Sequence, residues 1–234
     1  MTCEHGGNTV PPEFAAAFVG QEAVLASHCG WDPGALELGQ QLADAVAAPL
    51  HAATVTRLLI DLNRSIGHPR LYAAAIAALP AVVRQGIASQ YYLPHRDAVM
   101  AAVARIIDGG GCVIHIASHS FTPELDGVTR QADVAWLYDP RRAGEPAFAA
   151  GWRARLQARR PDLRLRRNYP YQGKDDGLTR KLRQKHPAHR YIGIELEVNQ
   201  RFVDAGGASW RALRSALVDT LVEACIDAGV ALST

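Results

Sequence analysis

Apolar residues follow two periods along this chain, and segments of one alternate with segments of the other. Between the glycines Gly109, Gly110 and Gly111 and the later Pro123 lies Cys112-Val113-Ile114-His115-Ile116-Ala117-Ser118, short, apolar and rich in β-branched residues. It predicts a buried strand. Side chains alternate along a strand, so Val113, His115 and Ala117 share one face and Ile114, Ile116 and Ser118 the other. His119 then falls where strand gives way to loop. Thr54–Leu62, Ala132–Tyr138 and Tyr191–Val198 read as further strands, Leu163–Arg166 as an exposed edge strand, and the residues just before His5 as a strand stub.

Helical spacing fills the gaps. Leu38, Leu42, Ala45 and Val46 recur behind Asp32, a good N-cap, and Pro33, which suits a first helical position; Pro49 limits the run. Leu71–Val83 is Ala-rich and helical in pattern. Asp97–Ile107 places Val99, Val103, Ile106 and Ile107 on one face and ends at glycines. Pro146–Arg160 turns Phe148, Trp152 and Leu156 inward, and a closing helix carries Trp210, Leu213, Leu217, Leu221 and Ala224. Asn168–Arg180 reads as a polar loop. Strands alternating with helices predict an α/β fold, with a mainly parallel sheet and helices on both faces.

Composition narrows this picture. With 234 residues and 48% hydrophobic content, the chain can bury a full core, and no linker or low-complexity tract divides residues 1–234. A net charge of +2 argues against a nucleic-acid partner, and Arg164, Arg166 and Arg167 read as a solvated strand edge. No apolar run approaches the ~20 residues that span a bilayer, and the opening Met1-Thr2-Cys3-Glu4-His5 has no basic leader. Four cysteines stand far apart without a C-x-x-C pair, which predicts reduced thiols and a cytoplasmic setting. Self-association is left open.

Three polar clusters fall at predicted strand ends: His5 with Asn8, His119 with Ser120, and Glu195 with Glu197; His28 and Asp32, four residues apart, lie between the first two. Two or three histidines plus one carboxylate, with an open position for water, is how catalytic zinc is held. Glu195 and Glu197 share a strand face, so either is a candidate base for that water. Gly6 and Gly7 predict close approach of backbone to a ligand. Asn63 and Arg64, at the end of a predicted strand, form a candidate grip for a carboxylate. Plainer readings stand beside these: Asp32 as a helix cap, His28 as a group that orients a neighbour, Arg64 in a salt bridge, His115 as a hydrogen-bonded core histidine. No Gly-x-Ser-x-Gly elbow, Walker loop or Gly-x-Gly-x-x-Gly competes. The residues by themselves thus reach a metal-assisted hydrolase.

Six stretches go further when taken together: Cys3-Glu4-His5-Gly6-Gly7-Asn8, His28-Cys29-Gly30-Trp31-Asp32-Pro33-Gly34-Ala35, Asp61-Leu62-Asn63-Arg64-Ser65, His119-Ser120-Phe121-Thr122-Pro123, Asn168-Tyr169-Pro170-Tyr171 and Glu197-Val198-Asn199-Gln200. In this order they resemble the N-formylglutamate amidohydrolase family across nearly the whole chain. The resemblance implies a three-layer, phosphorylase/hydrolase-like fold related to the zinc carboxypeptidases, one zinc ion (Zn2+), and hydrolysis of a small N-acyl amino acid. N-formyl-L-glutamate, from histidine degradation, is the name-giving case. It implies His5 and His119 as zinc ligands, with the third from the His28/Asp32 pair and Asp32 the first choice. Glu197 becomes the general base, with Glu195 as fallback; Asn63 and Arg64 hold the substrate carboxylate, and Asn168, Tyr171, Thr179 and Arg180 line a specificity loop, with Asn8 and Ser120 also near the substrate. Two departures stand out: the chain begins only four residues before His5, which predicts a shortened first strand, and the loop after Gly173 carries Lys174-Asp175-Asp176. Rival readings are a metallo-peptidase or cell-wall amidase on the same fold, which needs an open groove, and a metal-free binding protein.

Overall fold

The buried strand predicted from Cys112 onward is the backbone of the sheet. The computed structural model describes residues 1–230. Its strands are β1 (Thr2–Cys3), β2 (His51–Ala52), β3 (Val113–Phe121), β4 (Glu124–Leu125), β5 (Val128–Thr129), β6 (Val134–Leu137), β7 (Leu165–Arg167) and β8 (Tyr191–Asn199). Its α-helices are α1 (Glu22–Ala26), α2 (Ala35–Ala45), α3 (Ala74–Ala77), α4 (Ala81–Ile87), α5 (Leu93–Asp108), α6 (Gly144–Arg159), α7 (Leu178–Lys185), α8 (Arg201–Ala205) and α9 (Gly207–Asp227).

Six strands form one mixed sheet in the order β2-β1-β3-β8-β6-β7, and β4 and β5 form a separate two-stranded ribbon. All neighbours in the large sheet run parallel except β6, which is antiparallel to β8. β3 and β8 pair in register along nine residues, which sets His119 opposite Glu197 and Ala117 opposite Glu195. Side-chain alternation then sorts the two faces. Ile116, Trp136, Ile194, Leu196 and Val198 pack against α2, α6 and α9 in the largest core cluster. Val113 and Tyr191 turn the other way, onto Val99 and Val103 of α5 and Leu178 and Leu182 of α7. Helices thus cover both faces in three layers, as expected of a largely parallel sheet.

Several local predictions shift. β1 is two residues long, and β3 continues past His119 to Phe121. The apolar stretch Thr54–Leu62 is not a strand. After one bridge between Thr9 and Val55 it turns, and Leu59, Ile60 and Leu62 bury in a separate cluster with Phe18, Leu71, Ile76, Ile87 and Tyr92. A short apolar run fits either arrangement, and here burial comes from turns rather than a ladder. The Leu71–Val83 helix is two pieces, α3 and α4, divided at Pro80, which cannot sit inside a helix without losing a hydrogen bond. The end of the Asn168–Arg180 loop is helical: α7 begins at Leu178 and buries Leu178 and Leu182, one turn apart. Among the described residues, no helix is long and apolar enough to cross a membrane. All four cysteines are free, Cys3 and Cys225 buried.

His115 is a core histidine. It is buried, and its two ring nitrogens lie 2.8 Å from the Thr2 hydroxyl and 2.7 Å from the Tyr191 hydroxyl. A neutral imidazole offers one donor and one acceptor, and two hydroxyls satisfy both. Burial pushes its pKa from the ordinary 6.5 down to about 3, with the positive N-terminus adding to the shift. The unfolded chain therefore binds a proton that the folded one refuses, so stability is full above the unfolded pKa and falls as pH drops below it. Unfolding midpoints in urea should decline from about pH 7 to about pH 5, and the His115→Gln variant should show a shallower decline over that window. Equal slopes would show that this ring does not set the acid sensitivity.

Candidate metal centre

Three chain segments converge where β1 and β3 end. His5 follows β1, His119 lies two residues from the end of β3, and Asp32 stands in the turn before α2. Asp32 is not the cap of that helix. Gly34 holds the N-cap position in the left-handed conformation (φ 78°), and no side chain caps the helix. The Asp32 carboxylate is instead buried against the two histidines, with Oδ2 2.9 Å from His119 Nδ1 and 3.4 Å from His5 Nδ1. A backbone bond from Asp32 N to the His5 carbonyl (2.9 Å) ties the segments together. The opposite face of β3 helps: Ser118 donates to the Ala35 carbonyl (2.8 Å) and Ser120 to the Pro33 carbonyl (2.7 Å), fixing the turn that carries Asp32.

The imidazole centroids of His5 and His119 are 5.2 Å apart, and with Asp32 the two rings offer three donor atoms all within 4.8 Å of one another. Ligands on one tetrahedral zinc, at bonds of about 2.0–2.1 Å, are about 3.3 Å apart. Each ring also has a carboxylate behind it: Asp61 Oδ1 is 2.7 Å from His5 Nε2, and Glu4 Oε2 is 3.1 Å from His119 Nε2. Arg57 bridges the acids, Nη1 to Asp32 (3.1 Å) and Nη2 to Asp61 (2.8 Å). With neutral imidazoles, three buried carboxylates against this one bridging guanidinium leave two negative charges, which suits a divalent cation. The same acids act on the rings: burial opposes the charge on His119, but Asp32 and Glu4 outweigh it and raise its pKa well above the ordinary value. Burial likewise works against ionised Asp61, and Arg57 and His5 overcome it and hold the carboxyl well below the usual range.

A cleft of about 920 Å³ opens over this cluster. His5, His28, Asp32, Asn63, Arg64, His119, Ser120, Tyr171, Arg180, Glu195 and Glu197 line it; Asn8, Asn168 and Thr179 do not. His28 is at the rim, its ring 3.7 Å from Cys29 Sγ and outside the three-residue group. Asn8 donates to the Leu25 carbonyl (3.0 Å), and Asn168 accepts from the backbone N–H groups of Tyr138 and Gly173 (3.0 and 3.1 Å), so both shape the chain around the cleft. Thr179 is buried and donates to Glu195 Oε1. Asn63 accepts from the backbone N–H of Leu178 (2.8 Å) at the start of α7, and Arg64 donates to the Asp176 carbonyl (3.1 Å). Asp176 in turn accepts from the backbone and hydroxyl of Ser65, so the Lys174-Asp175-Asp176 loop is clasped to the opposite wall. Gly7 is required for backbone packing: a Cβ there would lie 2.6 Å from the Thr54 carbonyl oxygen.

Glu197 is 5% exposed and its Oε2 has no partner. Burial pushes its carboxyl up to about 8; Asp32 and Glu195 add to the rise, while His119 and Arg57 oppose it. Glu4, Arg57 and Asp61 are the cluster members that the sequence reading did not assign. The visible signal was two opposite charges, Arg57 and Asp61, four residues apart around Leu58-Leu59-Ile60.

An α/β sheet carrying two histidines and a carboxylate beside a cleft at the ends of its parallel strands defines a candidate mononuclear metallohydrolase. The sequence matches the model of the N-formylglutamate amidohydrolase family over residues 1–203, and the chain belongs to that family of hydrolases. The crystal structure of gene product Atu2144 from Agrobacterium tumefaciens is similar, with 27% identity, a TM-score of 0.82 and coverage of 97% of this chain and 90% of that one. N-formylglutamate amidohydrolase from Ralstonia eutropha JMP134 shares the fold at 20% identity, with a TM-score of 0.71 over 98% of this chain and 94% of that one. Among curated proteins, none matches.

Arg57 neutralises two buried acids at once, and breaking such a network is far costlier than replacing it whole. Arg57→Met should lower the urea-unfolding free energy of the metal-free protein by about 3 kcal/mol. A loss below about 0.5 kcal/mol, typical of a surface substitution, would mean that the bridge is not needed.

Proposed function

We propose that the chain is a zinc-dependent amidohydrolase that cleaves the amide of an N-acyl amino acid, N-formyl-L-glutamate being the prototype, to formate and the free amino acid. The observation that carries this reading is the buried His5–Asp32–His119 group facing the same cleft as the unpartnered carboxyl of Glu197. Family membership supports the reaction class. The four free thiols agree with a reducing, cytoplasmic setting.

His5, Asp32 and His119 would hold the ion, which when bound supplies Lewis acidity and lowers the pKa of its water to about 7. Glu197 is the proton carrier. It accepts a proton from water as the water oxygen attacks the acyl carbon, then returns that proton to the amine nitrogen as the C–N bond breaks. A carboxyl whose pKa stands near neutrality suits a group that must both take and give a proton. Glu195 is the weaker candidate, because one of its oxygens already accepts from Thr179. Arg64 and Arg180, on the cleft wall, would grip substrate carboxylates, and fixing those ends orients the amide toward Glu197. Asn63 and Tyr171 complete that wall.

Purified protein should hydrolyse N-formyl-L-glutamate, lose activity on chelation and regain it with zinc. Glu197→Gln should retain zinc and lower kcat by about 10²–10⁴-fold. Turnover indifferent to chelation, or near wild-type kcat in the Gln variant, would overturn the assignment of the ion or of Glu197 respectively.

A further inference from the structure

Glu4 is the least explained charged residue in the molecule. It is 1% exposed, and neither carboxyl oxygen has a hydrogen-bond partner. Met1 is close in sequence, but its amine donates to the Pro49 carbonyl, and the Thr2 hydroxyl is engaged with His115. Two histidines feel its charge: the half-buried His95, whose Nε2 is also unpartnered, and His119, whose Nε2 lies 3.1 Å from Glu4 Oε2 and has no hydrogen-bond partner of its own. A carboxylate sealed in protein without donors is among the costliest groups to bury, so its retention calls for a local reason.

The comparison within the cluster supplies one. His5 stands between Asp32 on Nδ1 and Asp61 on Nε2, and His119 stands between Asp32 on Nδ1 and Glu4 on Nε2. Asp61 has other work, since it also accepts from Arg57 and from the Asn63 backbone. Glu4 has none. A neutral imidazole carries its proton on one nitrogen only. With that proton on Nδ1, His119 would donate it to Asp32, 2.9 Å away, and both atoms would be lost as metal donors.

We propose that Glu4 is a positioning residue that keeps the His119 proton on Nε2, so that Nδ1 presents its lone pair to a divalent cation shared with His5 and Asp32. The proposal rests on reading that trio as a metal centre. Outer carboxylates of this kind fix ring orientation and tautomer, and their loss costs about 10–100-fold in metal affinity. Glu4 and His5 are adjacent, so one dipeptide supplies a ligand and also the anchor of the other histidine.

The test measures zinc dissociation constants for wild type, Glu4→Gln and Glu4→Leu by competition with a chromophoric chelator at fixed pH. Thermal midpoints of the metal-free proteins are measured alongside. Gln keeps an acceptor oxygen for Nε2–H and Leu does not, so zinc should bind about 10-fold more weakly to the first and about 100-fold more weakly to the second. The metal-free midpoints should not fall in step. Wild-type affinity in both variants, or equal losses of affinity that track equal losses of metal-free stability, would overturn the proposal. A wild-type protein that takes up no zinc would instead remove the metal-centre reading, and this inference with it.

Discussion

The candidate site is built around the Asp32 carboxylate. One of its oxygens lies within reach of both buried imidazoles and the other meets the half-buried guanidinium of Arg57. Ionised groups in such a setting survive only when each is matched. The matching is spread across the chain: His5 comes from the end of β1, Asp32 from the turn before α2, Arg57 and Asp61 from the turns after β2, and His119 from β3. No local segment can form the cluster alone. Its geometry is therefore a property of the sheet.

β3 shows how that dependence is met. One of its faces carries His115 and His119, and the other carries Ser118 and Ser120, whose hydroxyls hold the carbonyls of Ala35 and Pro33. A single strand thus presents one member of the cluster and, with alternate residues, pins the turn that presents another. On the far side of the cleft, Asn63 and Asp176 join the turn after Asp61 to the loop leading into α7. The wall carrying Arg64 and Arg180 is held by these clasps.

Much of this was legible in the residues, for identifiable reasons. β3, β6, β8 and the long helices follow from period alone, and glycine or proline brackets several of them. His5, His119 and Glu197 stood out because polar residues at the ends of apolar strands have few structural uses. Asp32 was harder: a carboxylate ahead of Pro33 reads equally well as a helix cap, and only the structure shows Gly34 at the cap position and the Asp32 carboxylate against two rings instead. Thr54–Leu62 misled because its apolar residues bury against Phe18 and Tyr92, contacts that no periodicity encodes. Glu4 escaped notice since its contact with the cluster is made 115 positions away along the chain, at His119. α7 hid behind its charged surface, with only Leu178 and Leu182 to betray a buried turn.

The strand order has a consequence for how the chain is made. β8, among the last elements to be synthesised, sits in the middle of the sheet, between β3 and β6. Until it emerges from the ribosome, β3 offers an open row of backbone donors and acceptors along the edge that β8 will occupy, and the pair β6–β7 has nothing to join. Closing that gap requires partners nearly eighty residues apart to meet, Val113 with Tyr191 among them. Pairings so remote in sequence form slowly, because loop closure comes before any contact rewards it. While those residues are added, a nascent chain of this protein thus carries an uncovered strand edge, the kind of surface a holdase chaperone can grasp.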